Sequence, residues 1–482
     1  MTAPDPQLLD RLARLLGPKG YTTDREVIAP WLTDWRGRFH GDSVALLSPA
    51  DSEEVAAVVR LAGEYNAPLV PQGGNSSMVG GATPPADGSA LILSLRRMNR
   101  IRSISSDDGV VVAEAGVILA NLHDAVAQRG MRFPLTLGGK GSATVGGLVS
   151  TNAGGTQVLR FGTMRALTLG IEAILPDGSR FDGLNPLKKD NRGYDIRHLL
   201  VGAEGTLGII TAASLRLVPA ILDRAVGWIG VDSPHQALKL LRLIEGRAGD
   251  AIEGFEIVPA DSLSLVLRHI PGTRAPLAGE HPWHVLVELD RSDPAAEAPA
   301  SQLEALLAAA LAEGLCRDAT IAVSEAQAEA FWKLRDSISE AERANGPALQ
   351  HDISVPVSGM PDFMLSAADE IRRTYPGVSV SAYGHLGDGN VHFHVRAPDD
   401  APTEWQTSAG PTISPHVHDL VVAAGGSISA EHGIGQMKLA ENVRLADPAR
   451  LMALSAIKAA IDPKHLLNPG KLVPLATDEA AP

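Results

Sequence analysis

Three polar, glycine-rich clusters fall within the first 210 residues and limit the folds open to this 482-residue chain. They read PQGGNSSMVGG (71–81), LGGKGSATVGGLVSTNAGG (137–155) and GAEGTLG (202–208). Each abuts an apolar stretch. Pro68–Pro71 leads into the first, Leu91–Leu93 and Val110–Val112 lie between the first and second, and Leu207–Thr211 runs out of the third. Helical patterns alternate with these at 52–66, where Ser52 is a candidate N-cap, and at 117–129. The N-terminal region therefore reads as α/β, with loops that demand close backbone approach. A single Gly-Gly pair would mean only a turn. Three such loops in one region suit an elongated diphosphate ligand, because bare N–H groups can surround an anion.

From about residue 220 the texture changes. Helical segments are expected at 235–248, 294–314, 323–345, 361–374 and 439–461. Strands are expected at 225–231, 283–289 and 391–396, exposed loops at 290–300 and 397–411, and a turn at 468–471. The expectation is an α+β protein of two domains. Residues 1–219 would form the first, with its core at about 39–219, and 220–482 a second that includes the C-terminal helices.

Composition narrows the function. The chain has 42 Lys and Arg against 56 Asp and Glu, a formal charge of −14. That balance argues against nucleic acid and against an anionic membrane surface. The lone Cys316 excludes an intrachain disulfide and any cysteine-based metal motif. No apolar stretch is long enough to span a membrane. The first twenty residues have Asp5 and Asp10 where a secretory leader needs positive charge, so the expected location is cytoplasmic. Leu8, Leu12 and Leu16 there read as an amphipathic helix that Gly17 and Pro18 stop.

The common phosphate fingerprints fail. G-x-G-x-x-G/A starting at Gly139 meets Thr144, and the P-loop spacing before Gly139-Lys140 or Gly470-Lys471 begins on Pro134 or His465. The nucleophile elbow G-x-S-x-G is absent around Ser76, Ser77 and Ser142.

PQGGNSS, GGKGSATVGGLVSTNAGG, RFG (160–162) and GAEGTLGIIT (202–211) resemble the FAD-binding domain of the vanillyl-alcohol oxidase type, also called the p-cresol methylhydroxylase type. The branch is that of the D-2-hydroxyacid dehydrogenases, and the likeness runs from about residue 30 to 472. It implies an FAD-binding domain and an α+β substrate domain, with a C-terminal helical segment returning to the first. By that resemblance Pro71, Gln72, Gly73, Gly74, Asn75, Ser76, Ser77 and Gly80 would line FAD. So would Leu137, Gly138, Gly139, Ser142, Ala143, Thr144, Gly146 and Gly147. Asn152, Gly154, Gly155, Gly162, Glu204, Gly205, Gly208, Ile209, Ile210 and Asn468 complete the set. Members that bond FAD covalently through the first loop carry His where Asn75 stands, so non-covalent FAD is implied.

His385-Leu-Gly-Asp-Gly-Asn-Val-His392-Phe-His394 is the densest chemical signal. The glycines force a turn, and His392 and His394 then share one strand face. Ser-Ala-Glu431-His432-Gly follows at 429–433. Two imidazoles and a carboxylate suit a divalent cation such as zinc or manganese, acting as a Lewis acid. The resemblance implies His385, His392 and Glu431 as ligands of zinc, with manganese or cobalt the other choices. It implies His432 as proton acceptor and substrate contact, Arg335 (in FWKLRDSIS, 331–339) as the carboxylate-binding guanidinium, and Ser339 beside it. Gln350 stands where 2-hydroxyglutarate-type members carry Lys, and His394 where they commonly carry Asn. Both residues, with Arg396 on the same strand face, remain candidates for the substrate tail.

The function implied is oxidation of a D-2-hydroxy acid, of the D-2-hydroxyglutarate, D-lactate or D-malate class, with hydride passing to flavin N5. An electron-transfer flavoprotein, a quinone or a cytochrome would take the electrons, and a homodimer is left open. The alternatives are an alkyl-dihydroxyacetonephosphate-synthase-like transferase, a glycolate-oxidase-like subunit and a metal-storage protein.

Overall fold

Strand and helix alternate through two units in the computed structural model, which describes residues 3–187, 189–402 and 404–475. Unit 1 comprises Met1–Gly155, Gly162–Pro219 and Glu431–Pro482, and unit 2 comprises Thr156–Phe161 and Ala220–Ala430. Residues 431–475 thus pack within unit 1.

In unit 1, Tyr21–Thr22 (β1), Leu46–Leu47 (β2), Leu69–Gln72 (β3) and Leu91–Ser94 (β4) form a sheet of order β1-β2-β4-β3. β4 runs parallel to both β2 and β3. Leu69, Val70, Leu91, Ile92 and Leu93 are fully buried, as continuous apolar strands of a covered parallel sheet should be. A second set follows: Ile101–Ser105 (β5), Val110–Glu114 (β6), Met131–Arg132 (β7), Thr168–Ile174 (β8), Arg180–Gly183 (β9), Ile209–Arg216 (β10) and Val218–Pro219 (β11). Five of these make an antiparallel sheet of order β5-β6-β10-β8-β9, and β7 pairs with β11.

The helix Ser52–Glu64 buries Val55, Val58, Val59 and Ala62 at helical spacing. Its N-cap is Asp51, whose carboxylate accepts from Glu54 N at 2.9 Å. Ser52, the expected cap, instead donates to the buried Glu172 carboxylate at 2.6 Å.

Unit 2 is built on one antiparallel sheet of seven strands. They are Asp223–Val231 (β12), Ile252–Pro259 (β13), Trp283–Arg291 (β14), Asp318–Ile321 (β15), Ala348–Ser354 (β16), Ser379–His385 (β17) and Asn390–Arg396 (β18), ordered β15-β12-β14-β13-β17-β18-β16. One face is apolar: Ile229, Phe255, Ile257, Val285, Val287, Val391, Phe393 and Val395 join a core with the helices Pro234–Ala248, Pro299–Ala312, Met360–Thr374 and Trp405–Ala423. Period-two alternation sends Glu256, His385, His392 and His394 to the other face. There Trp228, Val258, Leu286 and Tyr383 pack with the helices Ala260–His269, Glu325–Asp336 and Ile338–Asn345.

The structure differs from expectation in three elements. The expected loop 397–411 contains the start of the helix Trp405–Ala423, which holds Pro411 and Pro415 inside it. Burial of Trp405, Ile413, Val417 and Val421 on the apolar face outweighs the two missing donors. The segment 323–345 is two helices with a break at Ser337. The segment 439–461 is likewise two, Leu439–Leu445 and Pro448–Ile461, separated where Asp447 caps the second. Among the described residues no helix is long and apolar enough to cross a membrane.

Candidate cofactor and catalytic sites

The glycine loops converge within unit 1. A Cβ at Gly73 would stand 2.2 Å from Thr144 Oγ1, and one at Gly74 would stand 1.7 Å from Ser142 O. The 71–77 and 138–147 loops therefore approach as only glycine permits. Leu137, Gly138, Gly139 and Ser142 make a surface turn, closed by Ser142 N and Ala143 N donating to Gly139 O. Gly146 and Gly147 open the helix Val145–Thr151, and Gly154 and Gly155 are buried after it. The third loop and the tail join them. Glu204, buried with φ 51°, accepts from Ile434 N at 2.8 Å and Gly435 N at 2.7 Å. Burial raises its carboxyl, opposed by those two donors and by Lys438 and Lys471. Asn468 donates to Gly81 O at 2.9 Å and Glu204 O at 2.8 Å, while its backbone N donates to Leu69 O.

Some expected cofactor residues are already engaged. Asn75 Nδ2 donates to Thr33 O at 2.8 Å. Asn152 Oδ1 accepts from Arg165 N and Thr163 Oγ1, so this amide holds the start of the helix Met164–Leu167. Gln72 Nε2 donates to Ala82 O and Trp31 O. Ser77 Oγ accepts from Gly81 N. Ile209 belongs to the apolar core with Leu69 and Leu91. Thr144 Oγ1, Gln72 Oε1 and Asn468 Oδ1, by contrast, are buried with no hydrogen-bond partner among the described residues. Buried polar atoms left unpaired beside side-chain-free backbone are what a polar, extended ligand such as FAD would satisfy. The residues present fit that cofactor.

The polar face of unit 2 carries the second group. Glu256, at the middle of β13, is wholly buried. One carboxylate oxygen receives Arg335 Nε at 2.8 Å and the other meets His385 Nδ1 at 2.6 Å. Burial alone would raise this carboxyl, but the charges of Arg335 and His385 hold it below the usual range. The Arg335 guanidinium also lies 5.3 Å over the Tyr383 ring and 3.5 Å from His385 Nε2. The rings of His385 and His392 meet edge to face at 5.5 Å. Burial pushes His392 well down, and the charge of Arg335 adds to that, so its imidazole is neutral. Neutral imidazole is the metal-binding form. Asp352, opposite His392 in the ladder, lies 3.9 Å from its Nδ1 and accepts from Asn390 Nδ2 at 2.9 Å. Two neighbouring imidazoles backed by carboxylates fit a divalent cation.

Farther along β18, His394 Nδ1 is bonded to Glu342, and Gln350 is its ladder partner. Ser339 Oγ lies 3.0 Å from Tyr383 OH. Unit 2 ends at Ala430, whose N donates to Asp352 O, and Glu431 and His432 follow as the first residues of the returning segment of unit 1.

Sequence reasoning missed Glu256, Glu342, Asp352 and Tyr383. Glu256 had a signal, an acid amid the apolar run Ile-Glu-Gly-Phe-Glu-Ile-Val. Glu342 had none, since it stands in a charged helix.

Two family models match the chain: "FAD linked oxidases, C-terminal domain" over residues 223–472 and "FAD binding domain" over 44–182. The chain is 36% identical over 461 residues to the mitochondrial D-2-hydroxyglutarate dehydrogenase of Arabidopsis thaliana, covering 95% of this chain and 80% of that one. It is 37% identical over 458 residues to that of Bos taurus, covering 95% and 82%. To the D-2-hydroxyglutarate dehydrogenase of Xanthomonas citri pv. viticola (strain LMG 965) it is 35% identical over 439 residues, 91% of each. Among solved structures, p-cresol methylhydroxylase superposes with TM-score 0.74 at 14% identity, over 96% of both chains. Alkyldihydroxyacetonephosphate synthase superposes with TM-score 0.72 at 15% identity, over 97% of this chain and 87% of that one. These likenesses show the fold, which is of the p-cresol methylhydroxylase type.

Proposed function

This chain belongs to the FAD-linked oxidase family and is an FAD-dependent oxidoreductase acting on CH–OH groups, and from that premise we propose that it oxidises a D-2-hydroxy acid to the 2-keto acid with the help of a divalent cation. The observation that carries the reading is the cluster in which buried Glu256 ties Arg335 to His385, with the His392 ring packed against His385.

Bound FAD supplies a hydride acceptor at N5. When bound, a divalent cation, zinc first and manganese or cobalt next, would be held by His385, His392 and Glu431 and would supply a Lewis acid. Arg335 presents a guanidinium fork to the substrate carboxylate and fixes its orientation. Glu256 holds that fork and the His385 ring in place. His432 takes the hydroxyl proton as C2 gives up its hydride. Ser339, Gln350 and His394 meet the rest of the substrate. An electron-transfer flavoprotein, a quinone or a cytochrome would accept the electrons.

The test is anaerobic mixing of the purified holoenzyme with a panel of D- and L-2-hydroxy acids, with and without chelator. Bleaching of the flavin band by D-acids, lost with chelator and restored by zinc, is the expected result. A band that no hydroxy acid bleaches overturns the reading and favours a non-redox transferase on the same fold. Turnover by the purified chain with a dye acceptor speaks against a subunit that needs partner chains. His432→Ala should cut turnover by about a hundredfold or more with FAD retained. A loss of only a few-fold would remove His432 as the base.

A further inference from the structure

Strand β18 places His392, His394 and Arg396 on one face, with His394 one step from the reaction centre proposed above. The His392 and His394 rings are 6.3 Å apart, and Tyr383 packs against both, at 5.0 and 5.3 Å. A substituent a few bonds beyond the reacting carbon would therefore meet His394 and Gln350. The charge there is unusual for a pocket that would hold a second carboxylate. His394 Nδ1 is bonded to Glu342, which is 1% exposed. The other oxygen of Glu342 is buried and has no hydrogen-bond partner among the described residues. Arg335 and Arg396 are each bonded to a carboxylate, Glu256 and Asp261 respectively. The pair at His394 is balanced at best, and its spare atom is an acceptor. A tail carboxylate arriving there would add like charge beside Glu342 and would have to compete with it for His394.

We propose that Glu342, through His394, makes this enzyme select 2-hydroxy acids whose tail is uncharged over those that carry a second carboxylate. The inference rests on the proposed 2-hydroxy-acid oxidation and refines its substrate class. Glu342 is a specificity-determining residue in this account. Removing its charge while keeping its shape should relax the exclusion of diacids.

The experiment compares kcat/KM of the holoenzyme for D-lactate and D-2-hydroxybutyrate against D-malate and D-2-hydroxyglutarate, then repeats the comparison with Glu342→Gln. The native enzyme should prefer the monoacids by about tenfold or more, and Glu342→Gln should shift that ratio toward the diacids by about tenfold. The ratio is internal to each preparation, so a general loss of stability does not move it, and the native comparison needs no variant. A native enzyme that prefers diacids overturns this inference while leaving hydroxy-acid oxidation standing. An unchanged ratio in Glu342→Gln, with FAD bound and a native melting temperature, overturns the role of Glu342. A flavin that none of the four acids reduces overturns the parent reading and this one with it.

Discussion

Glu256 is the residue on which the polar face of unit 2 turns. It is one buried carboxylate serving a guanidinium and an imidazole at once. Breaking a buried pair from one side leaves a charge stranded, which costs about 3–5 kcal/mol. Glu256→Ala should therefore lower unfolding stability by that order in chemical denaturation. Glu256→Gln keeps the shape, and it should weaken zinc binding measured by calorimetry by about tenfold or more, because a carboxylate behind a ligating histidine orients and strengthens it. Unchanged zinc affinity in Glu256→Gln would remove that role. His284 makes a separate case on the same face. Trp228 Nε1 donates to its Nδ1 at 3.1 Å, so that nitrogen must be unprotonated. Burial, helped by the charge of His281, pushes His284 down to about 4. The folded state thus binds fewer protons here than the unfolded chain, whose imidazole titrates near 6.5. The stability it contributes is full above that value and drains away as pH falls toward 4, by about 3 kcal/mol. Melting temperatures between pH 7 and 4.5 should fall more steeply for the native protein than for His284→Asn.

At the scale of elements, burial and capping decide what the sequence pattern leaves open. Asp51 accepts from Glu54 N and caps the helix Ser52–Glu64, so Asp51→Ala should cost about 1 kcal/mol in denaturant unfolding. Ser52 satisfies Glu172 instead, a partner 120 residues away that no local pattern reveals. Strands β12, β14 and β18 were legible because their apolar positions alternate or run unbroken. β13 and β16 were not, since Glu253, Glu256, His351 and Asp352 interrupt them with groups that only tertiary partners can pair. The helix through Pro411 and Pro415 was hidden for the converse reason, as local breakers are outweighed by a buried apolar stripe. The site shows the same division. The two imidazoles and the glycine loops stand in dense motifs and could be read directly. Glu256 and Glu342 reach those motifs from other elements, across long stretches of chain.

At the scale of the whole molecule, unit 1 is discontinuous. Residues beyond 430 supply the strand-like contact of Leu467 with Leu69, the Asn468 bonds and the donors to Glu204. Lys458 locks this tail. It is buried and donates to Thr206 O at 2.7 Å and Leu467 O at 3.0 Å, with Asp462 as its counter-ion. Lys458→Met would orphan both carbonyls and strand the buried Asp462 carboxylate, and should cost about 3–5 kcal/mol. Thermal release of FAD, followed by its fluorescence, should occur at a lower temperature in that variant. An unchanged release temperature would mean the lock does not govern the cofactor loops. The split also bears on biosynthesis. Residues 220–430 emerge from the ribosome as one uninterrupted stretch and can collapse as they appear. The earlier N-terminal half has to remain incomplete, with Leu69, Glu204 and their neighbours unsatisfied, until the residues beyond 430 arrive. Slow translation of the codons for residues 431–475 would lengthen that wait and should lower the yield of flavin-loaded protein.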